Sequence, residues 1–339
     1  MARTIARSTD TAGTTSTATL SGATGAPGLG RAGRAGWLGR LDDFRREYLW
    51  AYLFIAPVMI LLTIFLFYPL VHAFIISFQS LTISRDQTVR WVGLANYRYV
   101  LSDPIWHRAL GNTAIYSVLT VVANVVLSLV LAWLIYPLSS AAQSLFKAAY
   151  YLPSHIGGIM VALVWYWMFD PTSGLLNYLV GLVGIGPQLW IKDPNVTAGV
   201  SHALASLMLI PILSGHGGGV ILYLAAMGNI PKSLYEAADI DAASAWTQLR
   251  RITWPLLRPT TLYVAITGTI ASFQVFEFVY LLTRGGPNLG TTTLVYQVYL
   301  VAFERYAFGL ASAQAFILGV IIVALSLVQF RMMSTDVEY

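Results

Sequence analysis

The sequence predicts an all-α membrane protein of six transmembrane helices, with its N-terminus and C-terminus both cytoplasmic. Three observations predict this class. Of 339 residues, 57% are hydrophobic and only 10% are charged, against about 25% charged in a soluble domain. Six apolar runs separated by breaks rich in Pro, Gly or charge match the roughly 20 residues that cross a bilayer core. With the N-terminus inside, 13 Lys and Arg residues fall on the inner face and 7 on the outer, the asymmetry that orients multi-span chains.

Residues 1–49 read as an unfolded basic segment on the cytoplasmic side. Seven of the 20 Lys and Arg residues precede Trp50, and the Ser/Thr/Ala/Gly-rich stretch 1–36 cannot bury enough apolar surface to fold. Gly28-Leu-Gly30-Arg-Ala-Gly33 matches a dinucleotide fingerprint only in letters, because no strand precedes it. Arg45-Arg46 mimics a twin-arginine signal, but the apolar run behind it is too long and has no small-residue cleavage site.

The expected spans, within a transmembrane region 50–332, are about 50–78, 110–136, 145–169, 198–227, 260–283 and 307–330. Pro57 and Pro69 lie in the first and Pro153 in the third. The fourth carries Pro211 and Gly215, Gly217, Gly218 and Gly219. It is expected to be kinked or discontinuous, which membranes tolerate where backbone faces protein or an aqueous cavity.

Between the fourth and fifth runs, residues 228–259 form a charged, soluble-looking stretch on the side that carries the basic excess. Ser233 and Glu236 have capping-box spacing behind Pro231, so a helix is expected to start there abruptly. Ala237, Ala238, Ala242 and Ala243 are small enough for another surface to approach, and Pro255 and Pro259 end helical continuation. Glu236-Ala237-Ala238-Asp239-Ile240-Asp241-Ala242-Ala243, followed by Leu249, Ile252 and Pro255, resembles the EAA coupling loop of bacterial ABC importer permeases. Ala242 stands where that family carries Gly, and Leu249 where it carries Phe, which bears on how sharply the loop bends.

Catalytic and metal chemistry find no footing. There is no cysteine, which removes thiolate sites and disulfides. His72, His107, His155, His202 and His216 show no metal-ligand pairing. No phosphate-cradling Gly-rich motif with Lys is present, so an ATP-driven role needs a motor on another chain. A net charge of +5, with its basic residues flanking spans, gives no nucleic-acid signal. No cofactor is expected.

Glu277 is the informative charge, inside the fifth run in Phe273-Gln-Val-Phe-Glu-Phe-Val-Tyr280. Intramembrane carboxylates are costly and face bundle interiors or cavities. Two readings stand open. In one, Glu277 snorkels to the outer interface with Arg284 seven residues on. In the other, it is a cavity carboxylate accepting substrate hydroxyls, with Phe273, Phe276 and Tyr280 as walls and Ser272 and Gln274 as polar contacts.

Tyr280-Leu-Leu-Thr-Arg-Gly-Gly-Pro287, then Thr291-Thr-Thr-Leu, Ala302-Phe303 and Gly309 to Ala313, is similar to a stretch in the maltose/glycerol-3-phosphate type of carbohydrate importer permease. Tyr151-Leu152-Pro153 with Trp165, Phe169, Gly174 and Asn177 fits the same group. Gly285-Gly286-Pro287 should make a tight outer turn that presents 288–306 to the outside.

The resemblance implies a multi-pass subunit of the bacterial inner membrane. It implies a second homologous permease, two cytoplasmic ATP-binding subunits, an extracytoplasmic substrate-binding protein and a carbohydrate substrate. Glu236, Ala237, Ala238, Asp241, Ala242, Ala243, Leu249, Ile252 and Pro255 would then dock the ATPase. Glycerol-3-phosphate or another polar solute is the alternative cargo. A secondary transporter, with Glu277 in ion coupling, and a membrane-embedded enzyme are the competing classes.

Overall fold

The computed structural model describes residues 35–81 and 89–333, so the readings made on residues 1–34 lie outside it. Contacts divide the chain into residues 1–66 and 67–339. The first unit contains α1 (Ala35–Leu62), so the stretch expected to stay unstructured to residue 49 is helical from Ala35. From Leu49 its side chains are apolar and largely exposed around the whole circumference, as suits a helix facing hydrocarbon.

The second unit opens with α2 (Tyr68–Ile76) and α3 (Ala95–Ser102). The 32-residue α4 (Pro104–Ile135) follows. Its start is sharp because Pro104 occupies the first turn and the Asp103 carboxylate accepts the Ile105 N–H at 2.9 Å. Then come α5 (Ser140–Ser154), α6 (Gly158–Met168), α7 (Leu175–Leu182), α8 (His202–Ser214) and α9 (Gly217–Gly228). A two-residue antiparallel ribbon, β1 (Val196–Thr197) and β2 (Val200–Ser201), precedes α8. The chain closes with α10 (Lys232–Ile240), α11 (Ala245–Gln248), α12 (Trp254–Leu256), α13 (Arg258–Phe273), α14 (Leu294–Tyr299) and α15 (Phe308–Met333).

Among the described residues, three helical stretches are long and apolar enough to cross a membrane: Tyr48–Ile76, Pro104–Ile135 and Phe308–Met332. Two pairs qualify only jointly, α5 with α6 bent by 92° and α8 with α9 bent by 42°. The expected break of the fourth span is there. The third span, expected as one run over 145–169, is also bent. Pro153 removes the helical donor to the Ala149 carbonyl. At the helix end the Tyr151 carbonyl, whose usual partner His155 N–H turns to Leu152, accepts from Ser154 Oγ at 2.7 Å and bonds His155 Nδ1 at 3.0 Å.

The fifth run departs furthest from expectation. Its helix, α13, ends at Phe273 after 16 residues, about 24 Å at 1.5 Å per residue. Residues 274–276 are not helical, and a π-turn spans Val279–Thr283. Glu277 therefore sits just past an interruption and not in the outer half of a continuous helix.

Packing centres on α4, α9 and α13. Leu129, Ala132 and Ile135 of α4 meet Val220, Tyr223 and Met227 of α9, with Leu257 and Val264 closing the cluster. The Tyr223 hydroxyl donates to Thr261 Oγ1 at 3.1 Å. Gly219 is required where α9 crosses α4, because a Cβ there would run into Ser128 Oγ. A second cluster joins Trp165 and Phe169 to Leu207, Ile210, Val279 and Tyr296.

The segment after Pro287 turns inward, contrary to the expectation that it is presented outside. Thr291, Thr292 and Thr293 are fully buried. Asn112 Nδ2 donates to the Leu289 and Thr292 carbonyls, and the Leu294 N–H donates to Thr113 Oγ1. Buried backbone must be hydrogen-bonded, and the threonines and Asn112 do that here. Exposure resumes only at Phe303 and Tyr306.

Candidate functional site: a coupling hairpin and a membrane cavity

In the hairpin, α10 starts two residues earlier than the capping-box reading requires. Pro231 is the N-cap, no side chain caps it, and Ser233 already lies within the helix. Proline fixes its own φ and so sets the start where the box would have done so. The far end closes as a Schellman motif. The Ala243 N–H bonds the Ala238 carbonyl at 2.9 Å, and the Ala242 N–H bonds Asp239 at 3.0 Å. Ala242 takes the left-handed conformation, φ 50°, so the bend survives without glycine at a backbone cost of about 1 kcal/mol.

Two side-chain bonds hold the arms together. Gln248 Nε2 donates to Asp239 Oδ1 at 2.6 Å, and Tyr235 and Thr253 share a hydroxyl bond at 2.9 Å. Burial pushes the Tyr235 hydroxyl up from its usual range, which keeps it protonated for that bond. Ser244 caps α11, accepting the Thr247 N–H at 3.3 Å.

The structure sorts the predicted docking residues into three sets. Glu236, Ala237, Asp241 and Ala242 are exposed, whereas Ala243, Ile252 and Pro255 are half-buried. Ala238 is 9% exposed and Leu249 7%, so both are turned into this chain and present no face to a partner. The prominent apolar groups are ones the motif did not single out, Ile240 at 86% exposure and Trp246 at 65%, with Leu234 exposed as well. A clue was present: Ile240 stands between two aspartates and Trp246 among small polar residues, positions with no core to join.

The second site is a cavity of about 420 Å³ where the broken spans meet α4. Tyr116, Thr120 and Asn124 of α4 form one wall, and Pro211 and Gly215 at the α8–α9 break another. Ser272, Gln274, Phe276 and Glu277 complete it. The hydroxyl of Ser272 is committed to Ser117 Oγ at 2.6 Å and the Thr269 carbonyl at 2.9 Å, so it is part of the wall and not a free contact.

Phe273 and Tyr280 are not in the cavity lining, contrary to expectation. Phe273 packs with Trp106, Ala109 and Leu294, and Tyr280 stacks on Phe276 with ring centroids 5.3 Å apart. The chain unwinds after Phe273, which sends side chains that a continuous helix would align to different faces. Tyr280 instead begins a file of rings. Tyr280 meets Tyr299 at 5.2 Å and Tyr299 meets Phe303 at 5.4 Å, leading from the cavity wall to exposed Phe303.

No group of three or more His, Asp or Glu side chains able to hold a metal occurs among the described residues. The ion pair between His202 Nδ1 and Asp193 Oδ2 at 2.8 Å lies away from both sites. It braces the 190–202 loop, where Thr197 Oγ1 lies 2.7 Å from His202 Nε2.

The family described as binding-protein-dependent transport system inner membrane component matches residues 125–334. The sn-glycerol-3-phosphate transport system permease protein of Agrobacterium fabrum is 34% identical over 298 residues, 85% of this chain and 96% of that one. A probable ABC transporter permease protein of Pyrococcus horikoshii is 33% identical, covering 80% of this chain and 92% of its own length. The arabinooligosaccharides transport system permease protein of Bacillus subtilis is 30% identical over 83% and 87% of the two chains. A crystal structure of a bacterial ABC transporter importing the acidic polysaccharide alginate shares the fold, with a TM-score of 0.74 over 88% of this chain and 99% of that one at 22% identity. The chain belongs to the family of inner-membrane permease components of binding-protein-dependent transport systems.

Proposed function

We propose that this chain forms half of the translocation path of an ATP-driven sugar importer of the bacterial inner membrane. Six membrane crossings with both termini inside complete the arrangement, three helices and two bent pairs supplying five and interrupted α13 the sixth. A second permease faces it, and two ATP-binding subunits dock on the 228–259 hairpin. An extracytoplasmic binding protein delivers the cargo. The chain itself makes and breaks no bond.

The cavity carries the reading of the cargo. Neutral polar groups of Asn124, Gln274 and Tyr116, the Glu277 carboxylate and the Phe276 ring line one space, the apolar-walled, sparsely polar lining that binds small solutes. Sugars present hydroxyls to the polar groups and their CH faces to rings. The file Phe276, Tyr280, Tyr299 and Phe303 extends that platform. The Agrobacterium fabrum relative favours a phosphorylated polyol as second cargo.

At the hairpin, exposed Ile240, Trp246 and Leu234 are the apolar groups that a partner covers. The test is reconstitution with the second permease, the ATPase and the binding protein in vesicles. ATP-dependent uptake of radiolabelled lactose, arabino-oligosaccharide or glycerol-3-phosphate is expected. ATP-independent uptake, or none of the three, would sink the proposal.

A further inference from the structure

Gly158 is the first residue of α6, directly after the 92° bend. A Cβ built on Gly158 would fall onto the Glu277 carboxylate, so these two residues, 119 positions apart in sequence, are in direct contact. The N-terminus of α6 has no side-chain cap. Met160 and Val161 already use the Gly157 carbonyl, and the first N–H groups of a helix have no partner within it. That positive end draws a carboxylate, and only glycine leaves room for one.

Glu277 is also the sole ionisable carboxylate lining the cavity, whose other polar groups are neutral, and no Lys or Arg lines it. The interruption after Phe273 and the bend before Gly158 thus meet at one charge. We infer that the Gly158–Glu277 contact makes the cavity a charge filter, which admits neutral or cationic hydroxyl-bearing solutes and turns away phosphorylated or carboxylated ones, and so selects the sugar over the phosphorylated polyol of the two cargoes proposed above. Gly158 is the positioning residue and Glu277 the group that sets the potential. The inference rests on the cavity being part of the solute path, and it names the substrate class.

The chain has no cysteine, which permits a test independent of any transported sugar. Gln274→Cys places one thiol in the cavity lining of the full-length protein, assembled in vesicles with companion subunits freed of cysteine. Its reaction rates with cationic aminoethyl and anionic sulfonatoethyl methanethiosulfonate are compared. The cation-to-anion rate ratio should fall by up to about thirtyfold when Glu277→Gln is added, because one unit charge about 4 Å away in water speeds the cation about fivefold and slows the anion as much. Gly158→Ala should lower the ratio in the same direction by displacing the carboxylate. Combining it with Glu277→Asp, one methylene shorter, should recover the ratio.

A ratio unmoved by Glu277→Gln overturns the filter. A ratio moved by Glu277→Gln but not by Gly158→Ala overturns the positioning role of Gly158. Should Gly158→Ala fail to fold, the Glu277→Gln comparison decides alone. Failed sugar uptake with a shifted ratio would sink the importer reading and leave the electrostatic one standing.

Discussion

At the residue scale, Ala242 shows a family motif changing its letter while keeping its geometry. It occupies φ 50°, where an L side chain is strained and glycine is not. Ala242→Gly should therefore stabilise the hairpin by about 1 kcal/mol, seen as a higher thermal midpoint with uptake preserved. A lower midpoint would mean that the methyl makes contacts outweighing the strain. Ile240→Asp should prevent co-purification with the ATP-binding partner while leaving the fold intact, because Ile240 is exposed in the free chain. Ala238→Trp is a poor test of docking, since Ala238 is buried within this chain and bulk there disrupts the hairpin itself.

At the scale of elements, three of the six expected spans are interrupted and each interruption has a local cause. Pro153 with Ser154 and His155 bends the third, Pro211 and Gly215 the fourth, and the fifth unwinds at Gln274. Only the break in the fourth was read from the sequence, where proline and the glycine cluster announce it. Pro153 stood in view in the third run, but a lone proline gives no sign of a 92° bend. The break after Phe273 was not legible, because Phe273-Gln-Val-Phe holds no helix breaker. The surrounding packing overrides local propensity there, as tertiary context does.

The same break explains why four of six cavity candidates lie at the cavity and two do not. Asn124 and Tyr116 were missed because nothing in an apolar run marks which face of α4 meets a break elsewhere. The hairpin was legible as an element, and its buried and exposed faces were not. Gly219→Leu should disturb the α4–α9 crossing, given Ser128 Oγ in the way, costing about 1–3 kcal/mol as overpacking does and lowering the thermal midpoint.

The 190–202 loop makes a prediction in pH. The Asn195 backbone N–H, then His202, hold the Asp193 carboxyl below the ordinary carboxylate range. A depressed folded value stabilises the loop above the unfolded value of about 3.9 and loses that contribution as pH falls through the folded one. Protease cutting between 190 and 202 should thus rise only below about pH 4. Equal cutting at pH 7 and pH 3 would show that the carboxylate does not brace it.

For the whole molecule, the proposed topology places tags after Arg40, near Ala245 and after Tyr339 inside, and tags near residue 87 and Lys192 outside. An external reporter at 245 would refute the orientation and the docking site together. Purified alone, the chain should hydrolyse no ATP, since it lacks a phosphate-binding loop. Turnover by a verified single-chain preparation would end the subunit reading.

The unwound stretch at Gln274–Phe276 bears on the lifetime of the protein in the cell. Gln274 and Glu277 are exposed in the isolated chain, and hydrocarbon does not tolerate bare polar groups or open backbone. A copy made without its companions carries a wound in the bilayer. Surveillance proteases that patrol membranes for such defects would find it there, and assembly would close it. Pulse-chase should show rapid turnover of the chain expressed alone and a long half-life when the second permease is made beside it. The ratio in which the subunits are synthesised would then set how much of this one survives.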